Sequence, residues 1–88
     1  MAYLEDKNLE GGEITAQGVF DKNSAFYIML VPKTTEASSV GILNVKLSQN
    51  DDMIDFPFSV GSWNPVVVNK VNVKSSDLTN YRIFWVAE

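Results

Sequence analysis

The sequence contains no cysteine and no histidine among its 88 residues. Without cysteine there is no disulfide to hold the fold together and no thiolate to act as a nucleophile or a metal ligand. Without histidine, the commonest general base and the commonest transition-metal ligand are both missing. These two absences argue against enzymatic and metal-dependent functions, so we expect no catalytic residues, no metal site and no cofactor.

Basic residues and long hydrophobic runs are also scarce. The seven Lys and Arg residues are dispersed along the chain and the formal net charge is −4, whereas a nucleic-acid-binding surface needs clustered basic residues. Apolar runs such as residues 26–31 and 65–68 are far shorter than the about 20 residues that cross a bilayer. Residues 1–7 include two acids and no apolar core, unlike a secretory signal. We therefore expect neither nucleic acid nor a membrane as a partner.

The polar residues that are present form no recognisable catalytic pattern. The acidic group of Asn50, Asp51, Asp52 and Asp55 has neither the glycine nor the distal glutamate of a calcium loop, so it is interpreted as a solvated hairpin turn. No two carboxylates are marked as facing each other across a cleft, as glycoside hydrolysis requires. The serine pairs in the turns have no neighbouring base to activate them.

The chain does have the composition of one small globular domain. Hydrophobic residues make up 45% of the sequence, and 88 residues leave no room for a second core. Val, Ile, Phe and Tyr concentrate in segments separated by polar turns, which is typical of β-strands. The predicted strands are residues 14–20, 25–31, 40–47, 53–58, 66–73 and 81–87.

The alternation within these segments predicts an all-β fold. Leu43, Val45 and Leu47 share one face of their strand, which indicates an antiparallel sheet with one solvated side. Residues 21–24 are predicted to form a tight hairpin turn. Pro57 cannot donate a hydrogen bond within a sheet, so its strand is predicted to lie at an edge or a bulge. We expect a small antiparallel β-sandwich or barrel of about six strands, with an extended N-terminal arm.

The first thirteen residues differ from the rest because they are mostly polar and end near a glycine pair. We interpret residues 1–13 as the arm, with Gly11 and Gly12 as a flexible hinge, and residues 14–88 as the β-sandwich domain. A frayed terminus is one reading of the arm. The other is that Tyr3 and Leu4 dock on a neighbouring subunit, which would make them interface residues.

Two tryptophans are the remaining candidate interface residues. Trp63 lies in a loop in which Gly61 suits a positive φ angle and Pro65 forces the preceding residue into an extended conformation. It either stacks on a sugar or a protein partner, or folds back over the core. Trp85 lies in an apolar strand, residues 83–86, and is predicted to be heavily buried in the centre of a sheet or in an interface.

The segment from Val60 to Val71, a Ser/Thr/Asn-rich turn and the terminal strand from Tyr81 to Val86 together resemble small virion proteins of tailed bacteriophages. These are the β-structured head decoration, spike-base and fibre-base subunits. The resemblance covers roughly the last thirty residues, and the turn at residues 74–80 departs from the usual pattern because it lacks glycine. It implies a structural subunit of a symmetric particle with no activity of its own.

The leading hypothesis is therefore a non-enzymatic structural protein located in a phage virion. It would bind capsid or tail proteins and assemble as a homo-oligomer by burying apolar strand faces. The alternative is a carbohydrate- or receptor-binding β-sandwich that uses Trp63, Tyr27 and Tyr81. A small inhibitor or regulator of a host enzyme is a third hypothesis.

Overall fold

The computed structural model describes residues 10–35 and 37–87. These residues form six antiparallel strands and one short helix, so the predicted all-β class is confirmed. The hydrogen-bonded order of the strands is β1-β6-β2-β5-β3-β4, and β2 divides it into two sheets, β1-β6-β2 and β2-β5-β3-β4. The elements are β1 Glu10–Ile14, β2 Gly18–Pro32, β3 Val40–Leu47, β4 Ile54–Ser59, β5 Val68–Val73, α1 Ser75–Asn80 and β6 Tyr81–Ala87.

The long strand β2 belongs to two sheets. Its residues 18–21, and Phe26 beyond a bulge, pair with β5, and its residues 27–32 pair with β6. The register shifts between Asp21 and Phe26, which is the signature of a bulge. The predicted hairpin turn at residues 21–24 is therefore wrong. Phe20 and Phe26 lie on either side of the bulge and pack edge to face at 5.4 Å, so the strand bends without reversing.

The loop after β4 covers the side of β2 that β6 leaves open. Val60 forms a parallel bridge with Leu30, and Trp63 forms an antiparallel bridge with Met29. The Gly61 N–H donates to the Leu30 carbonyl at 2.7 Å. The second half of β2 is thus hydrogen-bonded on both sides, and the sheet curls around the core.

The core is built by the alternation of side chains along the strands. On β3, Leu43 and Val45 are buried as predicted, while Leu47 is half-buried at the end of the strand. Gly41 is also buried, and a Cβ at that position would lie 2.6 Å from the Leu30 side chain, so the position has no room for a side chain. The buried hydrophobic residues are Ile14, Phe26, Ile28, Leu30, Leu43, Val45, Phe58, Val68, Val71, Val73, Tyr81, Ile83, Trp85 and Ala87.

Two strands lie at the edges, at the two ends of the strand order. β4 is one of them and contains Pro57, which confirms the predicted edge position. β1 is the other, and it pairs with β6 from Glu10 onward. Glu10 to Glu13 were assigned to the arm by sequence, but they are part of the sheet; residues 1–9, including Tyr3 and Leu4, lie outside the described residues.

The glycine pair in β1 serves packing and is not a hinge. A Cβ on Gly11 would lie 2.9 Å from the Trp85 carbonyl oxygen. A Cβ on Gly12 would lie 3.2 Å from the Trp85 indole nitrogen. The two glycines therefore allow β1 to approach β6 closely and leave room for a large aromatic side chain.

Helix α1 is short and connects β5 to β6. Its first turn is closed by Asp77, whose carboxylate accepts a hydrogen bond from the Lys74 N–H at 2.9 Å. The Asp77 carbonyl accepts from the Tyr81 N–H at the other end. Within the described part of the chain, no helix has the length and apolar character needed to cross a membrane.

A candidate binding face on the outer side of the sheet

Strands β1, β6 and β2 present a second face, opposite the core. On β6 the buried residues alternate with half-buried or exposed ones, and the same holds for the second half of β2. The strand register places residues of the three strands side by side on this surface. We call it the outer face, and it consists of Gly11, Glu13, Tyr27, Met29, Val31, Trp63, Arg82, Phe84 and Val86.

A shallow cavity of about 350 Å³ lies on the outer face. Its size is at the lower end of the range of ligand pockets, and its lining is almost entirely apolar. Glu13 is the one charged residue in the lining, and its carboxylate is hydrogen-bonded to Arg82. The lining residues are Gly11, Gly12, Glu13, Met29, Trp63, Phe84, Trp85 and Val86.

Trp63 forms one wall of the cavity and remains partly open to solvent. Its side chain and backbone are 47% exposed, and Tyr27 on the same face is 39% exposed. The register aligns Glu13, Phe84, Met29 and Trp63 in one row across the sheet. Trp63 is therefore displayed at the end of this row and is not folded into the core, while its contact with a partner stays a prediction.

Asn64 holds this loop in place and is the one buried polar residue among those described, at 7% exposure. Its Oδ1 accepts from the Ser59 N–H at 2.8 Å, and its Nδ2 donates to the Ser59 carbonyl at 3.1 Å. The Nδ2 group also donates to the Ile28 carbonyl at 3.3 Å. The side chain amide thus replaces a strand neighbour for Ser59 and ties the Trp63 loop to β2.

Gly61 adds a conformational requirement to the same loop. Its φ angle is +96°, as the sequence predicted, and residues with a side chain adopt such angles at a cost. The positive φ lets the chain turn immediately after its bridge to β2, so that Trp63 returns to the outer face.

One ion pair borders the outer face. The Arg82 guanidinium donates two hydrogen bonds of 3.0 Å to the Glu13 carboxylate and lies 5.1 Å from the centre of the Phe84 ring. The hydrogen bond from Arg82 lowers the pKa of Glu13, and the nearby charges of Arg82 and Lys33 add to this effect. The same hydrogen bond raises the pKa of Arg82. The pair keeps both charges satisfied beside an apolar surface.

Trp85 occupies the opposite face of the same strands. It is 8% exposed, which confirms the predicted burial, and its ring lies 5.4 Å from Phe20 and 6.4 Å from Phe26 between ring centres. The Lys22 amino group lies 4.7 Å from the Trp85 ring centre and covers its open side. Its contacts are those of a core residue, so Trp63 and not Trp85 is available to a partner.

Tyr81, which the carbohydrate hypothesis included, is not available to a ligand. Its ring is buried, and its hydroxyl donates to the Ser38 carbonyl at 3.1 Å. This bond links β6 to the segment before β3. Sequence alone gave no sign of this role, because an apolar body with a polar tip fits a core edge as well as a binding surface.

The acidic hairpin turn between β3 and β4 has the geometry of an ordinary turn. Asp51 and Asp52 are exposed, and the Asp55 carboxylate accepts a hydrogen bond from the Asn44 amide at 3.0 Å. Across residues 10–35 and 37–87, no three Asp, Glu, His or Cys side chains come together in a group able to hold a metal ion.

Comparison of the chain with protein-family models, with curated proteins and with solved structures gave no match. The resemblance to phage virion proteins therefore stays a prediction, and the outer face itself has to support any assignment of function.

Proposed function

We propose that this chain is a non-enzymatic structural subunit of a bacteriophage virion, which binds capsid or tail proteins and assembles as a symmetric homo-oligomer. The observation that carries the proposal is the apolar outer face, with Trp63 and Tyr27 exposed beside a shallow cavity. Contiguous apolar patches with exposed aromatic residues mark protein interaction sites.

The energetics of such a face suit assembly. Aromatic side chains that are presented on a rigid support dominate the binding free energy at protein interfaces. Trp63 is supported in this way by the Asn64 hydrogen bonds and by its bridge to Met29. A small domain gains stability by mass action when such a face is buried by a partner.

The test is incorporation into particles. The tagged chain and a Trp63→Asp variant would be produced during phage infection, and particles would be purified on a density gradient. We expect the unmodified chain to band with the particles and the variant to be lost from them. Ile42→Asp is the matched control, since Ile42 is 63% exposed on strand β3 of the other sheet. Failure of the unmodified chain to band with particles would contradict the proposal.

A carbohydrate-binding module is the second candidate, supported by the exposure of Trp63 and Tyr27. Sugars stack on such aromatic faces, but they also need polar groups that fix their hydroxyls. The cavity offers few, because the Glu13 carboxylate is bound to Arg82. A glycan array separates the two candidates: strong selective glycan binding that Trp63→Asp abolishes would favour the sugar.

A further inference from the structure

We propose that the cavity on the outer face receives the N-terminal segment, residues 1–9, of a second copy of this chain. The inference rests on the proposed function and specifies which surfaces join two copies. Tyr3 and Leu4 of one copy would fill the cavity beside Met29, Trp63 and Phe84 of the other. The exchange is reciprocal in a two-fold dimer.

The size of the outer face argues for an arm as the occupant. The face is three strands wide and about five residues long, or roughly 15 by 17 Å. That is about a third of the roughly 800 Å² that each partner contributes to a stable interface. A second domain placed flat on the face would thus bury too little, whereas an extended segment fills the cavity and adds area along its length.

The residues that precede β1 have a suitable length and composition. The apolar residues Met1, Tyr3 and Leu4 are followed by four polar residues and then Leu9. Nine extended residues span about 30 Å, comparable with the 35 Å longest dimension of the domain. The segment continues directly from Glu10 at the edge of the sheet, so it can leave its own domain and reach a neighbouring one.

The distribution of charge favours a second copy over the chain's own segment. Glu5 and Asp6 follow the apolar residues. At one end of the outer face Arg82 and Glu13 neutralise each other, and Lys33 adds a net positive charge near them. The chain's own segment leaves β1 at the opposite end, where Glu10 pairs with Ala87. A segment from a neighbour that enters at the Lys33 end brings its two acids beside Lys33.

A complementation experiment tests the inference with full-length chains. One variant carries Tyr3→Asp and Leu4→Asp and so keeps an intact cavity; the other, Met29→Glu, keeps an intact arm. Their masses would be measured by sedimentation equilibrium, alone and as an equimolar mixture. We expect the unmodified chain to form dimers, each variant to be monomeric, and the mixture to associate. Ile42→Glu is the control and should leave the mass unchanged, because Ile42 lies on β3 in the other sheet.

The outcomes separate this inference from the proposed function. If the arm variant dimerises like the unmodified chain while Met29→Glu does not, the arm is not the occupant, yet the outer face is still an interface. If the arm variant changes only the quenching of Trp63 fluorescence and not the mass, the chain's own arm covers the cavity and the inference is wrong.

If the unmodified chain is monomeric at every concentration, the inference is overturned. Binding to particles is then decided by the density-gradient experiment alone. Should Met29→Glu fail to fold, Trp63→Asp replaces it, since Trp63 is already half exposed.

Discussion

The two tryptophans stand on opposite sides of the same three strands and illustrate what each side does. Trp85 is enclosed by Phe20, Phe26 and Lys22, whereas Trp63 lies half exposed on the outer face. Burial of a large aromatic side chain contributes several kcal/mol to folding. The same side chain left in solvent contributes little until a partner covers it.

The comparison shows how a small domain separates stability from binding. The core face of β6 carries Tyr81, Ile83 and Trp85, and each is buried. The outer face carries Phe84 and Val86, which are only half-buried. Because adjacent residues of a strand point to opposite sides, substitutions on one face can be tested with little effect on the other.

The largest effect is expected on the core side. Trp85→Ala should lower the free energy of unfolding by about 3–5 kcal/mol, because it leaves a cavity beside Phe20 and Phe26. Urea unfolding followed by circular dichroism measures this loss directly. A variant as stable as the unmodified chain would mean that Trp85 is not part of the core.

A smaller effect is expected for Asn64, which ties the Trp63 loop to β2. Asn64→Ala should cost about 1–3 kcal/mol, because the part-buried backbone groups of Ser59 and the buried Ile28 carbonyl lose their side-chain partner. Asn64→Asp keeps the acceptor for the Ser59 N–H but places a charged carboxylate oxygen against the Ser59 and Ile28 carbonyl oxygens in a buried site, so it should be the least stable of the three chains in thermal melting at neutral pH. An Asn64→Ala chain of unchanged stability would remove the proposed anchor.

The ion pair beside the outer face should make a pH-dependent contribution. The pKa of Glu13 is lowered in the folded chain, so its contribution is present above the pKa of the unfolded chain and is lost as the pH falls through the lowered value. Glu13→Gln should therefore melt below the unmodified chain at neutral pH, and the two melting temperatures should converge in acid. Arg82 keeps its charge throughout, because its pKa is raised. A gap that persists unchanged in acid would contradict this role.

The smallest effect on folding is expected for Trp63. Trp63→Ala should change the free energy of unfolding by less than about 1 kcal/mol, because the residue is half exposed. Its effect should appear in the concentration dependence of the mass, measured by light scattering alongside the unmodified chain. A loss of stability as large as that of Trp85→Ala would abolish the distinction between the two faces.

Several features of the fold were predictable because they depend on local chemistry. The strands at residues 40–47 and 81–87 were predicted with the bounds of β3 and β6, the first from its regular alternation and the second from its continuous apolar run after a polar turn. The edge position of Pro57 and the positive φ of Gly61 follow from the missing N–H and the missing Cβ of these residues. Burial of Trp85 followed from an apolar strand that needs a covered face.

Other features depend on contacts that a sequence does not display. Residues 21–24 have turn chemistry, but the aromatic pair of Phe20 and Phe26 keeps them within one bent strand. A glycine pair in a polar segment is typical of a hinge, but Gly11 and Gly12 lie in a strand that packs closely against Trp85. Asn64 gave no signal as an anchor, because its partners belong to β4 and to the distant strand β2. Trp63 was identified from the sequence as a candidate interface residue, but its position on the outer face depends on its bridge to Met29 of β2.

The sharing of strand β2 between two sheets has a consequence for how the domain comes apart. Its first residues supply hydrogen bonds to β5 and its last residues supply them to β6, so neither sheet is complete without the other half of the same strand. Loss of either sheet should therefore carry the other with it, and unfolding should be a single cooperative step. A proteolytic cut in the bulge between Asp21 and Phe26 would separate the two hydrogen-bonded halves and release both sheets at once.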